Sequence, residues 1–366
     1  MTNPVGLLEG LTLAPQYGEE VLLHTVRDTH EAIAKRVFGI LGPAAAVPRV
    51  VHDGIAGSVY AGLGAGLAAG SFALKAAGAG GPRLAPSVQS AIAGVIGDRL
   101  RDEDHPMHFE MAVRMRGEDV SADRAALTAA YPRATGRVAV FLHGLCETEA
   151  VFNFRAEEHP TYAQTLGADG WTPVFVRFNS GLSIRENGAA LASLLQSVLE
   201  AWPVPVDRMT LVGHSMGGLV ARAATGIGGA LDWPARVTDI VCLGTPHLGA
   251  PLAMQAMHGG RLLKVLPESA AFGRIIDHRS LGIRDLESVL DLPNADHVRY
   301  RLVSAQMKGV AGVLLGDLLV RRGSAYGRSR TSELFPRAEV VHLPDTHHFG
   351  LLNHPDVHDK LKEWLA

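Results

Sequence analysis

The chain has 366 residues, 34 Lys+Arg against 37 Asp+Glu for a net charge of −3, and 47% hydrophobic residues. That composition excludes wholesale disorder, and the absence of any basic block excludes a dedicated nucleic-acid binder. Two cysteines, Cys146 and Cys242, are too few for a disulfide framework or a four-thiolate zinc site.

Met1 to Glu20 carries Glu9, Glu19 and Glu20 and no compact apolar run, so it does not read as a secretory signal. The expected compartment is the cytoplasm. Glu20 to Leu41 predicts an amphipathic helix with Leu22, Val26, Ile33, Val37 and Leu41 on one face, stopped by Gly42-Pro43. Gly54 to Leu74 is 21 residues without a charge, long enough to cross a bilayer. Six of them are Gly and six are Ala, so insertion would be marginal. The small residues favour a docked helical hairpin through close helix packing, with attachment to a membrane or lipid surface as the alternative. Residues 1–105 are therefore predicted to form a Gly/Ala-rich helical extension. Much of the chain's 41 Gly and its mean hydropathy of +0.13 is owed to the extension.

From about Pro106 the pattern changes. Met107–Met115 alternates like a strand. A β/α rhythm follows: strands over Arg137–Leu142, Trp171–Phe178, Arg208–Val212, Arg236–Leu243, Val298–Val303 and Ala338–Leu343. Helices are predicted over Pro160–Leu166, Glu186–Leu199, Gly217–Thr225 and Pro355–Leu365. The alternation implies an α/β fold, with a mostly parallel sheet and helices on both faces. One interval breaks it. Gly249 to Asp296 has no strand signal but several helical pieces, such as Arg261–Leu266 and Ser280–Leu290. An insertion there would lie over the carboxyl edge of the sheet, where open α/β folds bind ligands. The predicted organisation is a core over 106–248 and 297–366, with a helical cap over 249–296.

Gly213-His214-Ser215-Met216-Gly217 matches Gly-x-Ser-x-Gly between a strand and a helix, the context that exposes a serine on a tight turn. A serine hydroxyl needs an adjacent base, and the base needs an orienting acid. In such folds the acid follows the serine and the histidine comes last. Asp317 and His348 satisfy that order. His347 is the neighbouring alternative for the base; Asp291, Asp296 and Asp345 are alternatives for the acid. The tetrahedral intermediate needs two preorganised N–H donors, and the backbone groups of Met216 and of Leu145, just past His143-Gly144, are the candidates. Cys146 beside that turn is expected to pack rather than react. His342, His347, His348, His354 and His358 cluster without any zinc motif, and Gly62-x-Gly64 does not follow a strand.

From about Arg137 to Ala366 the chain resembles the α/β-hydrolase superfamily on its lipase/esterase side. The likeness rests on Phe141-Leu142-His143-Gly144-Leu145, Gly213-His214-Ser215-Met216-Gly217-Gly218, Gly244-Thr245-Pro246-His247-Leu248-Gly249, and Gly316-Asp317 with His348. The Thr-Pro-His segment is similar to that of bacterial triacylglycerol lipases and of relatives that deacylate lipid anchors. Arg321-Arg322 and Cys146-Glu147 depart from the pattern. The resemblance implies cofactor-free serine hydrolysis of hydrophobic carboxylic esters. Acyl transfer or thioester cleavage by the same residues is an alternative, as is a non-catalytic lipid-binding protein. The expected partner is a small-molecule or lipid ester, with no metal and no nucleic acid.

Overall fold

The computed structural model describes residues 85–227, 231–250, 280–288, 290–307, 317 and 319–366. The expected helix over 20–41, the Gly/Ala segment over 54–74 and most of the expected cap, with its piece Arg261–Leu266, lie outside the described residues.

The described strands form one eight-stranded sheet in the order β2-β1-β4-β3-β5-β6-β7-β8. Their ranges are β1 Ala112–Met115, β2 Glu118–Val120, β3 Arg137–Leu142, β4 Thr172–Arg177, β5 Arg208–His214, β6 Val237–Leu243, β7 Arg299–Gln306 and β8 Glu339–Pro344. Strands β3 to β8 pair in parallel, and β1 pairs antiparallel with both β2 and β4.

The side-chain period of two explains why both faces are covered. Val138, Val140 and Leu142 of β3 enter one core with Leu211, Ile240 and Leu302. Ala139 and Phe141 enter the other with Val212, Val241 and Val303. Seven helices longer than a single turn are described: α1 Pro86–Asp102, α2 Arg124–Ala130, α3 Tyr162–Ala168, α4 Ile184–Ala201, α5 Met216–Thr225, α6 Leu281–Glu287 and α7 Pro355–Leu365. The first core takes α4 and α5 through Leu191, Leu195, Leu219 and Val220. The second takes α3 and α7 through Leu166, Val357 and Leu361. Local signals place the helix starts. Thr161 with Gln164 and Ser183 with Glu186 form capping boxes at α3 and α4.

The strand expected over Met107–Met115 is shorter than its pattern. His105 accepts the Met107 N–H on Nδ1 at 3.1 Å and turns the chain there. Only Ala112–Met115 pairs, and it does so in a hairpin the sequence reading lacked. Arg116 and Gly117, with φ of 51° and 86°, are the two turn residues between Met115 and Glu118. Positive φ at both central residues is the hairpin turn whose twist suits the flanking strands. No helix among the described residues is long and apolar enough to cross a membrane.

Candidate active site

Ser215 lies between β5 and α5, with φ 52° and ψ −121°. A non-glycine residue holds that conformation only where its surroundings enforce it, at a cost of about 1–3 kcal/mol. The enforcement is visible. Ser215 N donates to Leu243 O of the neighbouring strand at 2.8 Å. A Cβ on Gly213 would run into the backbone of Gly218, and one on Gly217 into the carbonyl oxygens of Leu142 and His143. The turn therefore closes only with glycine at both positions. Met216 opens α5, so its N–H has no intrahelical acceptor and lies at the positive end of the helix dipole.

Asp317 and His348 are brought together. His348 Nδ1 and Asp317 Oδ2 are 2.7 Å apart, with side chains 3% and 1% exposed. The other oxygen, Oδ1, accepts the N–H groups of Leu319 at 3.0 Å and Val320 at 2.7 Å. The His348 N–H donates to Asp317 O at 3.0 Å, so main chain and side chain are both fixed to the acid's turn. An Nδ1–H given to the carboxylate leaves the lone pair on Nε2, which is buried and has no hydrogen-bond partner among the described residues. The ring packs against Gly244, one residue past the Leu243 carbonyl that holds Ser215.

His347 faces away: its Nδ1 accepts the Gly350 N–H at 3.3 Å, and its ring meets Phe154 edge-on. Asp317 is thus the acid in hydrogen-bond contact with His348, where Asp291, Asp296 and Asp345 had been alternatives.

Around Leu145 the loop is tightly specified. His143 is fully buried and stacked on Phe178 at 4.2 Å. It bonds Gly144 O through Nδ1 at 2.9 Å and accepts the Phe178 N–H on Nε2 at 3.2 Å. Burial holds its pKa below the ordinary value, so the ring is neutral. Cys146 has φ 61°, and its N–H donates to Ser180 Oγ at 2.9 Å. Burial, with Glu147 beside it, pushes the thiol up to about 12, which fits packing rather than nucleophilic chemistry.

Three features were missed in the sequence. The first is the bonding of Glu147, which the sequence marked only as a departure from the family pattern: its Oε2 accepts the Gly144 N–H at 2.6 Å and bonds His214 Nδ1 at 3.0 Å. The clue was a carboxylate directly after a His-Gly turn, a place that demands a partner once buried. The second is Glu149, which pairs bidentately with Arg177 of β4 at 2.6 and 2.7 Å and closes the far end of the same loop. The third is α1. A Cβ on its Gly94 would strike Cys146 Sγ, and Asn179 Nδ2 donates to Gly97 O at 3.0 Å. Ser280 Oγ, at the start of α6, donates to Gly94 O at 2.7 Å. This helix therefore abuts both the Leu145 loop and the start of α6.

The Thr-Pro-His segment is a buttress. Arg222, 1% exposed, donates to Leu292 O at 2.8 Å and to Asn294 Oδ1 at 3.1 Å, and lies 3.3 Å from His247 Nδ1. Its guanidinium sits 4.9 Å from the Phe335 ring centre. Burial and this cation hold His247 well below its ordinary pKa. Ser324 Oγ takes the Leu248 N–H at 3.1 Å and donates to Gly249 O at 2.6 Å, tying the segment to the turn after Asp317. No group of three or more metal-ligating side chains occurs among the described residues.

Residues 177–267 match the PGAP1-like alpha/beta domain family. No curated protein matches the chain. Among solved structures, the mature lipase BlEst2 of Bacillus licheniformis is 20% identical, over 62% of this chain and 91% of its own, with a TM-score of 0.43. The Pyrococcus furiosus esterase Pf2001 is 16% identical over 63% and 82%, with a TM-score of 0.45. The esterase RhEst1 of Rhodococcus sp. ECU1013 is 16% identical over 70% and 98%, with a TM-score of 0.39. The fold assignment rests on this chain's own strand order and serine turn. On those grounds, with the matched domain family, the chain has the α/β-hydrolase fold.

Proposed function

We propose that the protein hydrolyses carboxylic esters of hydrophobic substrates through an acyl-enzyme. The observation that carries this is the buried Asp317–His348 pair, whose ring lies 4.8 Å from that of His214, the residue before Ser215 in its strained turn. In the proposed reaction Ser215 Oγ bonds to the acyl carbon as His348 Nε2 takes its proton. The carbonyl electron pair moves onto oxygen, facing the N–H groups of Leu145 and Met216. Collapse expels the alcohol, which leaves with the proton from His348. Water then attacks the acyl-enzyme as His348 takes its proton; collapse releases the acid, and Ser215 Oγ takes that proton from His348. Asp317 keeps the imidazole in the required tautomer and stabilises its charged form.

The test is turnover of p-nitrophenyl esters of increasing acyl length, with fluorophosphonate labelling of the same samples. Turnover and labelling that both vanish in Ser215→Ala are expected. A protein that neither turns over nor labels would reject the reading in favour of passive lipid binding. Ester formation from added alcohol in preference to hydrolysis would move it to acyl transfer.

A further inference from the structure

Resting on the ester hydrolysis proposed above, we propose that Glu147, paired with His214, is a positioning residue whose one carboxylate oxygen locks the oxyanion loop to the nucleophile turn. Oε2 reaches the N–H of Gly144, next to the donor Leu145, and the ring of His214, next to the nucleophile Ser215. The loop also closes on itself, since the Glu147 N–H donates to Gly144 O at 3.4 Å. Gly144 is the meeting point. The place where its Cβ would stand lies 2.9 Å from Glu147 Oε2 and 3.0 Å from Ser215 Cβ. This oxygen thus ties the loop that carries Leu145 directly to the turn that carries Ser215 and Met216.

A neutral acceptor would serve Gly144 as well. A buried charged pair is often neutral or unfavourable for stability compared with apolar packing, so its retention here calls for another reason. The charge itself supplies one. Burial works to raise the Glu147 carboxyl, but His214 and the Gly144 N–H overcome it and hold it below the usual carboxylate value. Burial likewise works to lower His214, and Glu147, the His348 main chain and Asp317 hold it above the usual histidine value. Both directions favour the charged forms, and a His214 imidazolium on a Glu147 carboxylate is close to neutral in sum. The other titratable groups that face it are Cys146, a protonated thiol, neutral His143, and His348, whose ring is 4.8 Å from that of His214. Loss of the His214 proton would leave a bare carboxylate beside the developing oxyanion and slow the reaction. The wild-type rate should then fall on the alkaline side as the His214 proton is lost.

The experiment compares full-length wild type with Glu147→Gln, Glu147→Ala and His214→Asn. Kinetics use p-nitrophenyl butyrate across pH, fluorophosphonate titration counts competent sites, and thermal melts report folding. Glu147→Ala should lose about 10²–10³ in kcat per titrated site, the scale of losing one oxyanion donor, with KM within about threefold. Glu147→Gln keeps both hydrogen bonds without the charge; it should lose less and lack the alkaline limb. His214→Asn should be slower than the double variant with Glu147→Gln, because it strands the carboxylate. Wild-type kcat and pH profile in folded Glu147 variants would overturn the proposal while leaving ester hydrolysis standing. Losses matching only the unfolded fraction would also overturn it. A wild type that neither labels nor turns over would overturn both.

Discussion

Replacing Asp317 by Asn separates orientation from folding. The Asn Oδ1 can keep both bonds that Asp317 Oδ1 accepts, from Leu319 at 3.0 Å and Val320 at 2.7 Å, so the turn should survive. The oxygen now 2.7 Å from His348 Nδ1 becomes an NH₂ group. Two donors cannot face each other, so the imidazole moves its proton to Nε2 and presents N–H, not a lone pair, to Ser215. A wrong tautomer behind intact geometry costs about 10⁴ in kcat, or about 5 kcal/mol of barrier. Steady-state hydrolysis of p-nitrophenyl butyrate and the rate of fluorophosphonate labelling should fall together, with an unchanged melting temperature. A folded Asp317→Asn protein within about tenfold of wild type would refute the assigned role of the acid.

Other outcomes follow from the same geometry. His347→Ala should stay within a few-fold of wild type and His348→Ala should not, judged by kcat, because only the second ring meets Asp317. Gly217→Ala pushes a Cβ into the carbonyl oxygens of Leu142 and His143 and should cost about 1–3 kcal/mol in urea unfolding along with activity. Cys146, with its thiol pushed up to about 12, should resist iodoacetamide near pH 8 in the native state and react once unfolded, as read by mass spectrometry. Buried His143 and His247 have pKa values below the ordinary 6.5, so the unfolded chain takes up their protons first as pH falls. The stability that depends on keeping them neutral is present above about pH 6.5 and shrinks below it. His214, raised, acts with opposite sign. Melts of Ser215→Ala should drop between about pH 7 and pH 5, and less so when His247→Gln is added.

Arg137–Leu142 and Pro355–Leu365 are legible to the residue, one as a β-branched and aromatic run and the other through its Pro start and apolar spacing. The serine turn was legible because its glycines are demanded by local sterics. The order of Asp317 and His348 pointed to their contact, but the choice between His347 and His348 needed the direction each ring takes after β8. Met107–Met115 misled because alternation alone does not say whether a partner strand is in reach. Glu147–His214 and Arg222–His247 join segments 67 and 25 residues apart, and no local pattern encodes which buried charge meets which ring. The docking of α1 was hidden for a related reason. Its contact face is Ser90, Ala93, Gly94 and Gly97, residues whose small size is informative only once the loop they admit is known.

The antiparallel hairpin before the parallel strands bears on how the protein can be dissected. A fragment begun at Arg137, where the family likeness begins, would leave β4 as a raw sheet border with its hydrogen-bonding groups open. It would also strip α1 from the Cys146 loop that its Gly94 abuts. Such a fragment should self-associate and come out insoluble. The smallest fragment that stays soluble should start ahead of Pro86.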